Sequence, residues 1–233
     1  MPSLPGPDVL DGVVLEPHRS PFSARASVRV GLISDTHIPE ARAELWPQVF
    51  DVFAGVDAIL HGGDIHELFV LDQLAELAPL WSARGNGEDG SGGRTVAQAD
   101  ARLRYSWRLD LAGVHVGLTH DVPWPELPPN YTVERWKARR FGTTDIDVLV
   151  YGDSHVERID VVGSTLCVNP GSPTYPHNLN TQLGTLGFLH VTSVGPGTAR
   201  VTAELWQLTE DGAAGPTHAS TIDVHTNRET TDG

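Results

Sequence analysis

The chain has 233 residues, of which 39% are hydrophobic, and a formal net charge of −14 from 16 basic and 30 acidic residues. This length is enough for one large α/β domain, and the negative charge argues against nonspecific binding to nucleic acid or to anionic membranes. The single cysteine, Cys167, excludes an internal disulfide and indicates a reducing compartment. The sequence shows neither a signal-peptide pattern nor an apolar run of about 18 residues. We therefore expect a cytoplasmic protein without a membrane span.

Proline-rich sequence precedes the first regular element. Residues 1–26 carry five prolines and little periodicity, which predicts a flexible N-terminal arm. After this arm, apolar runs of strand length alternate with segments of helical spacing. The predicted strands are 28–34, 57–61 and 79–83, and the predicted helices are 39–55 and 66–78. This alternation predicts parallel pairing with right-handed crossovers.

From about residue 102 the pattern changes to strands joined by short turns. The predicted elements are strands at 103–111 and 114–119, a proline-rich loop at 122–130, a helix at 133–141, strands at 147–151, 156–161 and 165–168, and a hairpin of 186–194 and 199–208. Residues 210–233 are polar and threonine-rich, which predicts a disordered C-terminal tail. We expect one folded domain over 27–209, flanked by the arm and the tail.

Several possible metal ligands lie at or just after the ends of predicted strands. They are Asp35, His37, Asp64, Asn86, His120, Asp153 and His155. A single acidic residue at a strand end usually caps or forms a turn. The carboxyl ends of parallel strands, however, meet at one edge of the sheet, where ligands collect. Seven such residues on five consecutive segments therefore predict one metal site. Mixed nitrogen and oxygen ligands suit Mn²⁺, Fe²⁺, Zn²⁺ or Ni²⁺.

In their order along the chain these residues form a series of short motifs. The series is Asp35-Thr-His37, Gly63-Asp64, Gly85-Asn86, Thr119-His120, Gly152-Asp-Ser-His155 and Asn169-Pro-Gly-Ser172. It resembles the calcineurin-like metallophosphoesterases, and within them the YfcE-type phosphodiesterases, to which the retromer subunit Vps29 is also similar. The resemblance spans about 28–208. It implies a four-layer αββα sandwich, in which two mixed β-sheets are flanked by helices.

The same resemblance implies two divalent metal ions and assigns ligands to each. Asp35, His37 and His155 would hold the first metal, Asn86, His120 and Asp153 the second, and Asp64 would bridge both. A hydroxide bridging the metals would then attack a phosphoester, with a phosphodiester favoured over a monoester. Asn86 and His120 would act as catalytic residues by stabilising the transition state. Arg84, Asn169 and Ser172 are the expected substrate-binding residues.

The chain departs from the family pattern at two places. Asp153 stands where the family has the first His of G-H-T-H, and this extra carboxylate favours Mn²⁺ or Fe²⁺ while leaving Ni²⁺ and Zn²⁺ possible. Val122 replaces the second His of T-H-G-H, and Gly87 follows Asn86 where larger phosphatases of the superfamily carry a His. No obvious protein acid remains for the leaving group, which favours diesters or good leaving groups. Glu88, an acidic residue that the family often has here, is a candidate positioning group.

A non-catalytic, Vps29-like protein-binding scaffold is the alternative function on this fold. Such a scaffold predicts eroded metal ligands and an exposed apolar patch. Six of the seven ligand positions keep the family residue and the seventh can still coordinate a metal, which favours an enzyme. The expected partner is a small phosphorylated substrate, with a nucleotide and a homo-oligomer both left open.

Overall fold

Two β-sheets pack face to face, and helices cover their outer faces. The computed structural model describes residues 20–123, 132–179 and 181–226. In chain order the elements are β1 (Ser27–Ile33), α1 (Pro47–Val52), β2 (Ala58–His61), α2 (Phe69–Ala75), β3 (Leu80–Ala83), α3 (Asn86–Asp89), β4 (Leu103–Arg104), β5 (Ser106–Leu111), β6 (Val114–Thr119), α4 (Val133–Phe141), β7 (Val148–Val150), β8 (Arg158–Val162), β9 (Thr165–Asn169), β10 (Thr185–Gly195), β11 (Thr198–Thr209) and β12 (Gly212–His225), with a 3₁₀ turn at Pro176–Asn178.

Both sheets are mixed. The first has seven strands in the order β12-β11-β10-β1-β2-β3-β4, and the second has five in the order β5-β6-β7-β9-β8. Strands β1 to β4 run parallel, whereas β10, β11 and β12 extend the first sheet by antiparallel pairing. In the second sheet β6, β7 and β9 run parallel, and β5 and β8 flank them antiparallel. In each sheet the parallel strands therefore have their carboxyl ends at the same edge of the sheet.

Apolar side chains fill three interfaces between these layers. The largest cluster joins the two sheets, with alternating residues such as Val28, Val30 and Leu32 of β1 among its members. A second cluster packs α1 and α2 on the outer face of the first sheet, and a third packs α4 on the second sheet. The predicted four-layer αββα sandwich of two mixed sheets flanked by helices is thus confirmed. No helix among the described residues is long and apolar enough to cross a membrane.

The C-terminal tail is the clearest departure from the sequence prediction. Residues 212–225 form β12, which pairs antiparallel along β11, so the predicted disorder is wrong for this segment. Most of its residues are exposed, and only Ile222 and Val224 near its end alternate toward the core, so the alternation that reveals strands in sequence is short. The pairing is supported by a hydrogen bond between the Thr202 and Thr221 hydroxyls and by the exposed ion pair of Arg200 with Asp223.

Other element boundaries also differ from the predictions. The helix expected over 39–55 is limited to Pro47–Val52. At the end of the predicted arm, Phe22 is buried and joins the main core, with its ring 6.3 Å from that of Trp81. The rest of the predicted arm (1–19), most of the proline-rich loop and residues 227–233 lie outside the described residues.

Candidate metal centre

Loops at the carboxyl ends of β1, β2, β6 and β7 and the start of α3 carry the predicted ligands. Asp35 and His37 follow β1, Asp64 follows β2, and Asn86 begins α3 just after β3. His120 immediately follows β6, and Asp153 and His155 follow β7. Both sheets therefore contribute to the same cleft.

Four of these residues form a compact cluster. Asp35, His37, Asp64 and His155 each offer one ligand atom, and these four atoms all lie within 4.8 Å of one another. His37 Nε2 is 3.4 Å from Asp64 Oδ2, and His155 Nε2 is 3.7 Å from Asp35 Oδ1. These are the residues that the resemblance assigns to the first metal and to the bridge.

The remaining predicted ligands surround His120. Its Nε2 lies 3.3 Å from Asn86 Oδ1, 3.5 Å from Asp64 Oδ1 and 3.6 Å from Asp153 Oδ1. Asp64 therefore faces both groups of residues. The His120 side chain is buried, whereas the Asp153 side chain is 48% exposed and Asn86 is exposed. The second group is accordingly the side of the centre that solvent and a ligand can reach.

Hydrogen bonds fix the orientation of two imidazoles in this cleft. His120 Nδ1 donates to the Gly62 carbonyl at 2.8 Å, and His155 Nδ1 donates to the Tyr175 carbonyl at 3.0 Å. Each bond leaves Nε2 facing the carboxylates, which is the arrangement found for metal-binding histidines.

Burial and neighbouring charges shift the pKa values of several side chains in the cleft. Burial raises the pKa of Asp35 to about 8, although the neighbouring His120 acts in the opposite direction. Burial alone would lower the pKa of His120, but Asp64, Asp35 and Asp153 outweigh it and raise this pKa to about 9. Burial and the adjacent His37 lower the pKa of His155 to about 4, so this ring is neutral and able to bind a metal at neutral pH.

Two ligand atoms are left unsatisfied by the protein itself. Within the described residues, Asp35 Oδ2 and His37 Nε2 are buried without a hydrogen-bond partner. Buried polar atoms nearly always have partners, because leaving one unpaired costs about 1–3 kcal/mol. A carboxylate oxygen and an imidazole nitrogen in one cluster are donors that a divalent transition metal takes. The residues present therefore fit a metal ion.

The ligand loops have an unusual backbone conformation. Asp35, His37, Asp64, Asp153 and His155 all have positive φ, between 46° and 71°, a region that few non-glycine residues adopt and in which Asn, Asp and His are enriched. Backbone bonds join two of the loops, from Asp35 N to the Gly63 carbonyl at 2.9 Å and from His37 N to the Asp64 carbonyl at 3.0 Å. The strained conformations are thus held by the protein.

Glu88 acts as the anchor of the loops that carry Asp64 and Asn86. Its fully buried carboxylate accepts four backbone N–H groups: those of Asp64 (3.1 Å) and Gly85 (2.9 Å) on Oε2, and those of Ile65 and His66 (both 2.8 Å) on Oε1. These contacts support the positioning role that the sequence suggested for Glu88. Gly85 is required here because a Cβ would lie 2.2 Å from Asp64 Oδ1.

The three predicted substrate-binding residues support the loops of the cleft. Asn169 and Ser172 are fully buried; Asn169 donates to the Gly152 carbonyl at 2.8 Å, and Ser172 donates to the Asp35 carbonyl at 2.7 Å. Arg84 donates to the Glu88 carbonyl at 3.2 Å. Direct contact of these three residues with a substrate stays a prediction.

His66 is a residue of the cleft that the sequence motifs did not identify. Its ring lies 4.2 Å from that of His37, and its Nδ1 is 2.7 Å from Glu40 Oε2. The ring fills the space above Gly87, where a Cβ would lie 2.4 Å from His66 Cδ2. The position of His66, two residues after Asp64, was the only signal in the sequence. Its presence explains why residue 87 has no side chain.

The family model for the calcineurin-like phosphoesterase superfamily domain matches residues 28–194. The chain therefore belongs to the calcineurin-like phosphoesterase superfamily, as the resemblance implied. Together with the cluster of ligands, membership supports divalent metal binding and metal-dependent hydrolysis of phosphoesters.

Individual relatives agree with this assignment. The chain is 33% identical over 161 residues to a probable metallophosphoesterase of Methanocaldococcus jannaschii, which covers 68% of this chain and 75% of that protein. Its structure is similar to vacuolar protein sorting 29 of Cryptosporidium parvum, with a TM-score of 0.63 and 16% identity over 86% of this chain and 100% of that one. It is also similar to Vps29 of Entamoeba histolytica complexed with Zn²⁺, with a TM-score of 0.58 and 20% identity over 85% and 99% of the two chains. The Vps29-like fold is thereby confirmed.

Proposed function

We propose that this protein is a phosphodiesterase that uses two divalent metal ions. The observation that carries the proposal is the shared carboxylate of Asp64, which faces the cluster of Asp35, His37 and His155 on one side and His120 on the other. One metal would be held by the first three residues with Asp64, and a second by Asn86, His120 and Asp153 with Asp64. Mn²⁺ or Fe²⁺ is the favoured metal, with Ni²⁺ or Zn²⁺ as alternatives, and the zinc complex of the Entamoeba relative supports a site of this kind.

The residues around the cleft would prepare it for a phosphoester. When bound, two such cations supply Lewis-acid activation of water and neutralise charge at phosphorus. The hydrogen bonds of His120 and His155 to backbone carbonyls keep both Nε2 atoms on the cleft side, so no rotation is needed when the site is filled. Asn86 is exposed. Its amide oxygen can accept a hydrogen bond from one neighbour while its NH₂ group donates a hydrogen bond to a phosphate oxygen. Asn86 and His120 would thereby act on the transition state.

The preference for a diester is supported by the absence of a histidine directly after Asn86 in the sequence. A monoester with a poor leaving group needs a proton donor as its ester bond breaks. Residue 87 is glycine, and the T-H-G-H position of the second histidine is Val122. Esters with good leaving groups are therefore favoured, and among them we propose diesters as the substrates.

The proposal is tested by one assay on metal-free protein. The protein is titrated with Mn²⁺, Ni²⁺, Zn²⁺ and Mg²⁺, and hydrolysis of bis-p-nitrophenyl phosphate is compared with that of p-nitrophenyl phosphate. We expect metal-dependent turnover with preference for the diester, loss of turnover in Asp64→Asn, and unchanged turnover in Asp51→Asn, which alters an exposed residue of α1. Folded protein that turns over neither ester with any metal would support the Vps29-like scaffold instead.

A further inference from the structure

His61, the last residue of β2, is fully buried and contacts two of the ligand loops. Its Nδ1 lies 3.1 Å from the backbone nitrogen of Gly63, in the loop that carries Asp64. Its Nε2 lies 3.2 Å from the hydroxyl of Thr36, in the loop that carries Asp35. One side chain thus connects the loops that follow β1 and β2.

These contacts fix the tautomer of the His61 ring. The Gly63 N–H group can only donate, so Nδ1 of His61 is the acceptor and the ring proton is on Nε2. Nε2 then donates to the Thr36 hydroxyl, which can donate in turn to the Ile65 carbonyl at 3.4 Å. Burial lowers the pKa of His61 to about 3, which keeps the ring uncharged at neutral pH. Both ring nitrogens are therefore engaged within the protein, and His61 is not itself a metal ligand.

The bond from Gly63 to His61 holds a peptide group that also contacts the candidate metal centre. The N–H of Gly63 and the carbonyl of Gly62 belong to the same planar peptide unit. On the other side of this unit, the carbonyl accepts from His120 Nδ1 at 2.8 Å. Because the unit turns as a whole, rotating it would break the bonds to His61 and to His120 together. The orientation of the His120 imidazole is therefore linked to His61 through one peptide.

This peptide needs an external support because glycines flank it. A Cβ on Gly62 would lie 2.5 Å from Ser34 Oγ, and one on Gly63 would lie 2.7 Å from His120 Nδ1. Close packing thus excludes side chains at both positions. Glycine leaves the backbone dihedral angles freer than any other residue does, so the peptide between two glycines rotates more freely than others. His61 Nδ1 is the acceptor that fixes its N–H group.

We infer that His61 is a positioning residue of the candidate metal centre, which fixes the Gly62–Gly63 peptide and thereby directs His120 Nε2 toward a metal. The inference rests on the two-metal centre of the proposed function and adds to it a residue that binds no metal. The Gly63 carbonyl also accepts from Asp35 N at 2.9 Å. The same segment therefore contacts a ligand of each group, Asp35 of the first and His120 of the second.

The tautomer of His61 is tested in the wild-type, metal-free protein. Long-range ¹H–¹⁵N spectra of protein labelled with ¹⁵N-histidine distinguish protonated from unprotonated ring nitrogens. We expect His61 to carry its proton on Nε2, whereas His155, which donates to a carbonyl through Nδ1, has the opposite tautomer. The His61 signals are identified by their absence in His61→Asn. A proton on Nδ1 of His61 would overturn the inference.

The positioning role is tested by Mn²⁺ titration of metal-free variants. His61→Leu removes both ring nitrogens. In His61→Asn the amide oxygen takes nearly the place of Nδ1 and can still accept from Gly63. We expect His61→Leu to weaken Mn²⁺ binding about 10-fold or more, and His61→Asn to recover most of the wild-type affinity. His61→Gln, whose amide reaches Thr36 but not Gly63, should bind as weakly as His61→Leu and provides the same comparison if His61→Leu does not fold.

A control separates positioning from a loss of stability alone. Leu111 is fully buried and pairs with Val114 at the start of β6, at the opposite end of this strand from His120. Leu111→Ala should lower the unfolding temperature measured in EDTA yet bind Mn²⁺ like wild type. Affinity that is unchanged in His61→Leu, or equally lost in His61→Asn or Leu111→Ala, would overturn the inference and leave the proposed function intact. Wild-type protein that binds no Mn²⁺ would overturn the proposed function as well.

Discussion

Replacing Glu88 by glutamine tests whether this residue organises the candidate metal centre. The two side chains have nearly the same shape, but the amide has a single oxygen. In the native protein each carboxylate oxygen accepts two backbone N–H groups, one pair from Asp64 and Gly85 and the other from Ile65 and His66. Whichever way the amide is turned, one pair of donors loses its acceptor and faces an NH₂ group.

The size of the effect follows from those two lost bonds. Hydrogen bonds to a charged group are worth about 1.5–3 kcal/mol each, so Glu88→Gln should reduce the free energy of unfolding by about 3–6 kcal/mol. For a protein of this length each kcal/mol lowers Tm by about 2–4 °C, which gives a decrease of at least about 6 °C. Because Glu88 also fixes the backbone of Asp64, we expect about a 10-fold loss of Mn²⁺ affinity.

The assay is thermal unfolding followed by circular dichroism, with EDTA present so that bound metal does not mask the change. Glu76→Gln is the matched control, since Glu76 is exposed at the end of α2 and should unfold at the wild-type temperature. Mn²⁺ affinity is measured separately by titration of the metal-free proteins. If Glu88→Gln unfolds together with Glu76→Gln and wild type, the four bonds do not anchor these loops and the reasoning is refuted.

Three further changes test other parts of the structure. Gly63→Ala adds a Cβ 2.7 Å from His120 Nδ1 at a φ of 95°. The free energy of unfolding, measured in urea, should therefore fall by about 2–4 kcal/mol. Gly163→Ala, at a φ of 62° in open space, is the control and should lose less stability because it adds strain without a collision. Burial raises the pKa of Asp147 to about 6, so the folded state retains a proton that the unfolded state has released, and stability falls as pH rises from about 4 to 6. Asp147→Asn should therefore be more stable than wild type above pH 7, by at most about 3 kcal/mol. The difference should vanish below pH 4. Unfolding of both proteins measured from pH 4 to pH 7 checks this expectation. Asp153→His replaces a half-exposed carboxylate by imidazole. When equal amounts of Mn²⁺ and Zn²⁺ are offered, elemental analysis should show a higher share of bound Zn²⁺ than in wild type. An unchanged ratio of the two metals would show that residue 153 does not select the metal.

Much of the fold could be predicted because its strands are buried on regular faces. The alternation of Val28, Val30 and Leu32 indicates β1, and the order of strands and helices that follows indicates a parallel arrangement. Once the strands are placed, their carboxyl ends bring Asp35 and Asp64 together. The composition of the cleft was therefore accessible from sequence.

The parts that could not be predicted depend on neighbours that are distant in sequence. Strand β12 is mostly exposed, and it is regular because it pairs along β11. His66 is one of several histidines in the sequence, and only its contact with His37 and the space above Gly87 distinguishes it. Sequence periodicity reports burial on a regular face, whereas most of β12 is exposed and His66 is distinguished by its contacts with particular residues.

The ligand loops show how the surrounding structure positions the candidate metal ligands. Asp35, His37 and Asp64 adopt positive φ, which costs of order 1–3 kcal/mol per residue, and Asp35 Oδ2 and His37 Nε2 remain unpaired. Backbone hydrogen bonds between the loops offset part of those costs, and the surrounding structure contributes further bonds. The Glu88 carboxylate accepts hydrogen bonds from the backbone N–H groups of residues 64–66 and of Gly85. The Ser172 hydroxyl donates a hydrogen bond to the Asp35 carbonyl. A site held from outside in this way loses little conformational entropy when it is filled, because the ordering has already occurred during folding. Metal affinity should therefore depend on residues such as Glu88 that never touch the metal.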